Sequence, residues 1–271
     1  MKAHTKRVLR RILPPILTEM LKGRRSPWRG DYPTWETACA KASGYASADI
    51  LKKVAEATEQ VISGKAAYER DSVVFDQIVY SWPVLAGLLR VAARNGSLEV
   101  LDFGGSLGSS YRQNMRFLKD LPHHWNIVEQ ENYVTLGKAR FETETLRFYR
   151  SIEECLGKGN INAFFSSSTL QYLENPMDFL GELSCFEVPT LILDRVSIIA
   201  SDQNRLTLQT VPKEIYEASY PCWFFSEKRL FDAIGEKYRL VEKFESFIKN
   251  EAWIDGSVHS SDWGYIFELK N

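Results

Sequence analysis

From residue 98 onward, short apolar runs alternate with amphipathic ones. LEVLDF (98–103), WNIVEQ (125–130), LRFYR (146–150), INAFFSS (161–167) and PTLILDRVSI (189–198) are apolar and rich in β-branched or aromatic residues. They read as buried strands. Between them, NMRFLKDL (114–121), YVTLGKARF (133–141), SIEECLGKG (151–159) and NPMDFLGELSCF (175–186) carry helical spacing, with Ser151 as a cap and Pro176 opening the last. Strand followed by helix, repeated five times, predicts an α/β fold: a parallel sheet with helices on both faces. The chain end departs from this. SEKRLFDAIGEKY (226–238) reads as a helix, but RLVEKFES (239–246) and GYIFELK (264–270) follow as strands with no helix between. That predicts an antiparallel hairpin at the sheet edge.

Residues 30–95 read as helical. Thr34 offers an N-cap, and Ile50, Val54, Ala57, Val61 and Ile62 recur at helical spacing up to a stop at Gly64. FDQIVYSWPVLAGLLRVAARNG (75–96) reads as a helix pair broken near Pro83 and closed by Asn95–Gly96. The expected organisation is therefore a segment 1–29, a helical region 30–95 on the substrate side, and an α/β domain over 96–271.

Composition narrows the function. The 271 residues are 44% hydrophobic and 25% charged with net charge −1, so no global charge points to nucleic acid. The four cysteines (Cys39, Cys155, Cys185, Cys222) form no CxxC pair, which fits a reduced cytoplasmic setting. His123–His124 reads as a loop pair and no metal site is expected. Charge is uneven only at the start. Lys2, Lys6, Arg7, Arg10, Arg11, Lys22, Arg24, Arg25 and Arg29 face a single Glu19 around the apolar ILPPILTEML (12–21). That segment is either a peripheral contact with an anionic membrane or a solvated arm.

The densest signal is EVLDFGGSLGSSY (99–111), a strand running into Gly104, Gly105 and Gly108. Glycines after a strand permit a tight turn and close approach of a ligand to backbone N–H groups at the next helix start. Glu129 ends the next strand, 21 positions after Gly108, close to the spacing of a carboxylate that holds ribose hydroxyls. A dinucleotide fold wants G-x-G-x-x-G; read instead as D-x-G-x-G-x-G, Asp102, Gly104 and Gly108 match and Ser106 replaces the middle glycine. An acid before the loop suits a ligand carrying an ammonium group better than a pyrophosphate.

VLDFGGSLG with IVEQ resembles the first two motifs of class I S-adenosylmethionine-dependent methyltransferases. FFSSSTLQYLENP (164–176) is similar to that superfamily's fourth-strand motif. LPPIL, GDYPTWETA, SGY, YERDSVVFD, VLDFGGSLGSSY, VEQ and YPCWFFSE resemble, more narrowly, methyltransferases of bacterial surface-polysaccharide (O-antigen or lipo-oligosaccharide) gene clusters. The resemblance implies a Rossmann-like seven-stranded sheet with an antiparallel last strand, S-adenosyl-L-methionine as cofactor, and O-methylation of a sugar or surface-glycan precursor. It places Asp102, Gly104, Gly105, Ser106 and Gly108 at the methionine part, Glu129 and Gln130 at the adenosine, and Ser166, Ser167, Leu170 and Gln171 along the pocket. Arg150–Ser151 is the candidate adenine edge.

Catalytic candidates are Asp194, His259 and Tyr111. Asp194 ends strand five, His259 lies in the polar loop GSVHSSDWGY, and Tyr111 follows the glycine loop. Arg195, Tyr220 and Trp223 are candidate acceptor contacts. All but Tyr111 have a plainer reading: Arg195 paired with Asp194, His259 on the surface, and Tyr220 and Trp223 packing a loop insertion. Three rival functions stay open: a methyltransferase-fold binding module without turnover, a methyltransferase for a non-sugar small molecule, and a nicotinamide-dependent oxidoreductase.

Overall fold

The computed structural model describes residues 26–43, 47–211, 218–248 and 252–270. The basic segment 1–29 thus lies outside the described residues except for its last four. The elements are β1 (Trp28–Arg29), α1 (Trp35–Cys39), α2 (Ser47–Ile62), β2 (Tyr68–Arg70), β3 (Val73–Phe75), α3 (Trp82–Asn95), β4 (Leu98–Phe103), α4 (Ser109–Leu118), β5 (His123–Val128), α5 (Glu131–Arg140), β6 (Leu146–Tyr149), α6 (Ile152–Leu156) and β7 (Ala163–Ser167). A 3₁₀ turn (Leu170–Tyr172) follows. Then come α7 (Pro176–Cys185), β8 (Thr190–Ile199), β9 (Arg205–Thr210), β10 (Ser219–Ser226), α8 (Glu227–Ile234), β11 (Tyr238–Glu245), β12 (Ala252–Ile254) and β13 (Val258–Leu269).

The main sheet runs β6-β5-β4-β7-β8-β13-β11, with β6 to β8 parallel and β13 antiparallel to both β8 and β11. This is the Rossmann-like, seven-stranded sheet with an antiparallel last strand. The sequence period explains it: successive residues of each central strand are apolar on both faces. Val100, Ile127, Phe148, Phe165 and Ile192 enter one core with α2, α3 and α5. Leu101, Val128, Tyr149, Phe164 and Leu191 enter the other with α6, α7 and α8.

Several elements differ from the sequence reading. Residues 30–95 are not helical throughout, because Asp71 and Ser72 take left-handed φ angles of 52° and 65° and turn β2 back on β3. Pro83 does not break a helix but opens one. It sits in the first turn of α3, where the missing N–H has no helical partner to lose. The helix after the glycine loop starts at Ser109, five residues earlier than its apolar spacing indicates, because Gly108 serves as its N-cap. Residues 199–225 contain β9 and β10 rather than a loop insertion. β10 joins β8 through Phe225 and Ser226, beyond the point where β7 ends. His123 and His124 lie on β5, and His259 lies on β13 opposite Trp253, not in a loop.

Helices α2 and α3 share the core cluster of the sheet. α3 is tied to β13 by Arg90 and Arg94, which both reach the buried Glu268. Gly87 lets α3 lie close to β8 and β13, since a Cβ there would stand 2.9 Å from Ile266 and 3.1 Å from Ile192.

Candidate functional site

Strands β4 to β8 end at one edge, and a cavity of about 1080 Å³ opens there. The hairpin β2–β3 and the antiparallel pair β9–β10 complete its walls. Ligands of open α/β sheets bind at this carboxyl edge.

The glycine loop is sterically dictated. Gly104 has φ +75°, and a Cβ there would meet Thr169 Oγ1 at 2.3 Å. A Cβ on Gly105 would lie 2.5 Å from the Asp102 carboxylate. Gly108, at φ +96°, caps α4. Ser106 adopts φ 55° although it is not glycine. Asp71, Ser72, Ser168 and Arg195 do the same, so five of the seven left-handed non-glycine residues among the described residues line this cavity. Such strain costs about 1–3 kcal/mol per residue and collects at functional sites.

Glu129 bridges the loop and α5. Its carboxylate accepts the N–H groups of Ser106 (3.2 Å) and Gln130 (2.8 Å). Burial pushes its pKa up, and those two hydrogen bonds pull against the rise. Asp102 sits below the loop and accepts the Trp125 indole N–H at 2.7 Å. Burial raises it to about 7.

On the opposite wall, Ser167 donates to Asp194 Oδ2 at 2.9 Å, while Asp194 Oδ1 is buried without a partner. Burial raises Asp194 to about 6. Gln171 Nε2 donates to Ser168 Oγ and to the Arg195 carbonyl. The Arg195 guanidinium reaches Asp71 on the hairpin at 3.4 Å, so its ion pair crosses the cavity mouth rather than closing on its neighbour Asp194.

The structure brings Asp102, Gly104, Gly105, Ser106, Glu129, Gln130, Arg150, Ser167, Gln171, Asp194, Arg195 and Tyr220 to the cavity. It does not bring seven other candidates there, among them Ser151, whose hydroxyl caps α6 by accepting the Glu154 N–H. The Tyr111 hydroxyl hydrogen-bonds Thr145 and its ring packs on Trp125, because α4 turns that face into the core. His259 is exposed against Trp253. Ser166 points inward to the Phe103 carbonyl, Leu170 is core, and Trp223 donates to the Leu173 carbonyl from the far face of β10. Gly108 stands one residue behind the lining residue Ser109, as a helix cap.

Sequence reading missed Glu69, Arg70 and Asp71 from the hairpin, and Ser197 and Asp262 from β8 and β13. YERD was visible as a block, but nothing local showed that it would fold over a site some thirty residues downstream. Acidic residues outnumber basic ones: Glu69, Asp71, Asp102, Glu129, Asp194 and Asp262 against Arg70, Arg150 and Arg195. Five of the ten buried, unpartnered side-chain polar atoms among the described residues also lie on this lining, from Glu69, Ser81, Gln171, Asp194 and Arg195. No group of three metal-ligating side chains occurs among the described residues.

Neither a family model nor a curated protein matches the chain. Solved structures do. An S-adenosylmethionine-dependent methyltransferase from Clostridium acetobutylicum aligns at TM-score 0.47 and 10% identity, over 81% of this chain and 99% of that one. The N-terminal domain of EvdMO1, solved in the presence of SAH and D-fucose, aligns at TM-score 0.49 and 12% identity, over 83% and 98%. A 1,6-didemethyltoxoflavin-N1-methyltransferase from Burkholderia thailandensis aligns at TM-score 0.40 and 15% identity, over 84% and 92%.

Proposed function

We propose that this protein is an S-adenosylmethionine-dependent methyltransferase that methylates a hydroxyl group of a sugar or surface-glycan precursor. The observation that carries the reading is the loop Gly104–Ser106, held on Glu129 at the carboxyl edge of the sheet. A Cβ at Gly104 or Gly105 would close the space beside the backbone. The excess of carboxylates on the lining suits a sulfonium cation better than a dinucleotide.

S-adenosylmethionine, when bound, supplies a methyl group already activated for displacement. The protein's part is to position and to deprotonate. Glu129 holds the ribose hydroxyls, since each of its oxygens keeps a lone pair after accepting a backbone N–H. Gln130 and Arg150 flank the adenosine side. Asp194 is the general base. Its free Oδ1 takes the acceptor's proton, while Ser167 fixes the other oxygen. Tyr172 and Tyr220, in edge contact at 5.4 Å, offer the aromatic wall on which a sugar ring packs. The free oxygen of Asp194 also favours turnover over a binding module that has lost it. The acceptor class follows from the sequence resemblance. A cytoplasmic location, with residues 1–29 touching the inner membrane beside a lipid-linked acceptor, belongs to the same proposal. Among the described residues no helix is long and apolar enough to cross a membrane.

Calorimetric titration with S-adenosylmethionine, S-adenosylhomocysteine and NADH tests the cofactor, with Glu129→Ala as control. Micromolar binding of the first two, lost in the variant, is expected. A folded protein that binds neither overturns the reading.

A further inference from the structure

The donor's charged end needs a partner, and Asp102, the residue that the motif nominates, is taken. Its carboxylate accepts from Trp125 and fills the space that a Cβ on Gly105 would occupy. A second carboxylate lies on the other side of the loop. Glu69 comes from β2, in the hairpin that covers the cavity, and only 2% of it is exposed. Ser109 Oγ donates to Glu69 Oε1, whereas Oε2 is buried without a partner on the cavity lining. An unpaired buried carboxylate oxygen is costly unless something donates to it.

The placement fits one ligand group. Ser106 holds Glu129, and Ser109, three residues on, holds Glu69. The Gly108 N–H bonds to the Gly105 carbonyl, so this stretch is a single tight turn. Two carboxylates therefore flank one turn of backbone, one at each end. The methyl donor has hydroxyls on its ribose and an α-ammonium at the end of a short chain through sulfur. We propose that Glu69 Oε2 accepts the α-ammonium group of the donor, opposite the ribose held by Glu129. The inference rests on the methyltransferase reading above. It makes the hairpin part of the donor site, closed over the ligand from the sequence region before the sheet. Burial, with Asp71 adding to it, pushes the Glu69 carboxyl up, and the bond from Ser109, the nearby Arg112 charge and the Ser72 backbone N–H oppose that rise. A cation at Oε2 would complete its pairing.

The test is a cycle of one ligand change against one residue change. Binding of S-adenosylhomocysteine and of its deaminated analogue is measured by calorimetry to wild type, Glu69→Gln and Asp102→Asn. Wild type is expected to favour the amino ligand by roughly tenfold or more, the scale of one charge-assisted hydrogen bond. Glu69→Gln is expected to lose that preference while binding 5′-methylthioadenosine, which lacks the amino acid part, within about twofold of wild type. A purely structural Glu69 would shift the melting temperature and leave the preference intact, which overturns the proposal. So does a preference that survives in Glu69→Gln but vanishes in Asp102→Asn, or a wild type that binds both ligands equally. If wild type binds no adenosyl ligand at all, the methyltransferase reading fails first and the inference goes with it. Should Glu69→Gln not fold, Glu69→Asp, which keeps the charge but draws it back, is read by the same loss of preference.

Discussion

Replacing Asp102 by asparagine should reverse its effect on stability between acid and alkaline pH. The carboxyl is buried and raised from 3.8 to about 7, with only the Trp125 indole to offset burial. A shift of about three pKa units corresponds to about 4 kcal/mol. The sign follows from proton counting. Between pH 3.8 and about 7 the folded protein keeps a proton that the unfolded chain has released. Stability from this group is therefore fully present below about pH 4 and is lost as pH rises through 7. Asparagine does not titrate. Its Oδ1 can still accept from Trp125, while its unpaired amide N–H groups cost about 1–3 kcal/mol. The variant should thus be less stable than wild type by about 1–3 kcal/mol at pH 4 and more stable by a similar amount at pH 8. Urea unfolding followed by tryptophan fluorescence at unit steps from pH 4 to 8 measures the difference. Subtracting variant from wild type removes the contributions of titrating groups that do not interact with Asp102, such as Asp194, and leaves that of the interacting Glu129. A difference that stays flat across the range would sink the argument that Asp102 is the carboxyl held protonated by burial.

Asp194→Asn should lower turnover by about 10²- to 10⁴-fold, the usual worth of a positioned base. S-adenosylhomocysteine affinity should stay unchanged, and the wild-type rate should rise as pH passes about 6, where the buried carboxyl ionises. An acceptor assay with a labelled methyl group reads both. Gly104→Ala combines a left-handed φ of 75° with a Cβ at 2.3 Å from Thr169. A loss of about 2–4 kcal/mol is expected, and adding Thr169→Ala should recover only the crowding part, as read by melting temperature. Gly264→Ala drives a Cβ into the Phe244 ring at 2.1 Å, between β13 and β11. It should cost about 1–3 kcal/mol in urea unfolding while leaving calorimetric ligand binding unchanged.

Much of the scaffold was legible along the chain. The central strands are apolar on both faces because two helical layers cover them, so LEVLDF, WNIVEQ and PTLILDR stand out as continuous runs. The glycine loop was legible because φ angles near +75° and +96° and missing Cβ atoms are properties of the residue type itself. Glu129 was legible by spacing from that loop. The turn Asp71–Ser72 was not. Neither residue is glycine, and their left-handed backbone is what a two-residue hairpin turn demands once β2 pairs with β3. β9 and β10 were missed because an antiparallel pair grown on the overhang of β8 exists only once β7 has ended beside it.

By itself, then, the sequence determined the layered α/β sheet and the loop at its carboxyl edge, since both follow from local periodicity and from what glycine alone permits. Tertiary structure decided which side chains face the cavity. It turned Tyr111 and Ser166 into the core, left His259 outside, committed Asp102 to Trp125, and carried Glu69 and Asp71 across from the hairpin. Those outcomes depend on contacts between residues far apart in the chain, and no local pattern encodes them.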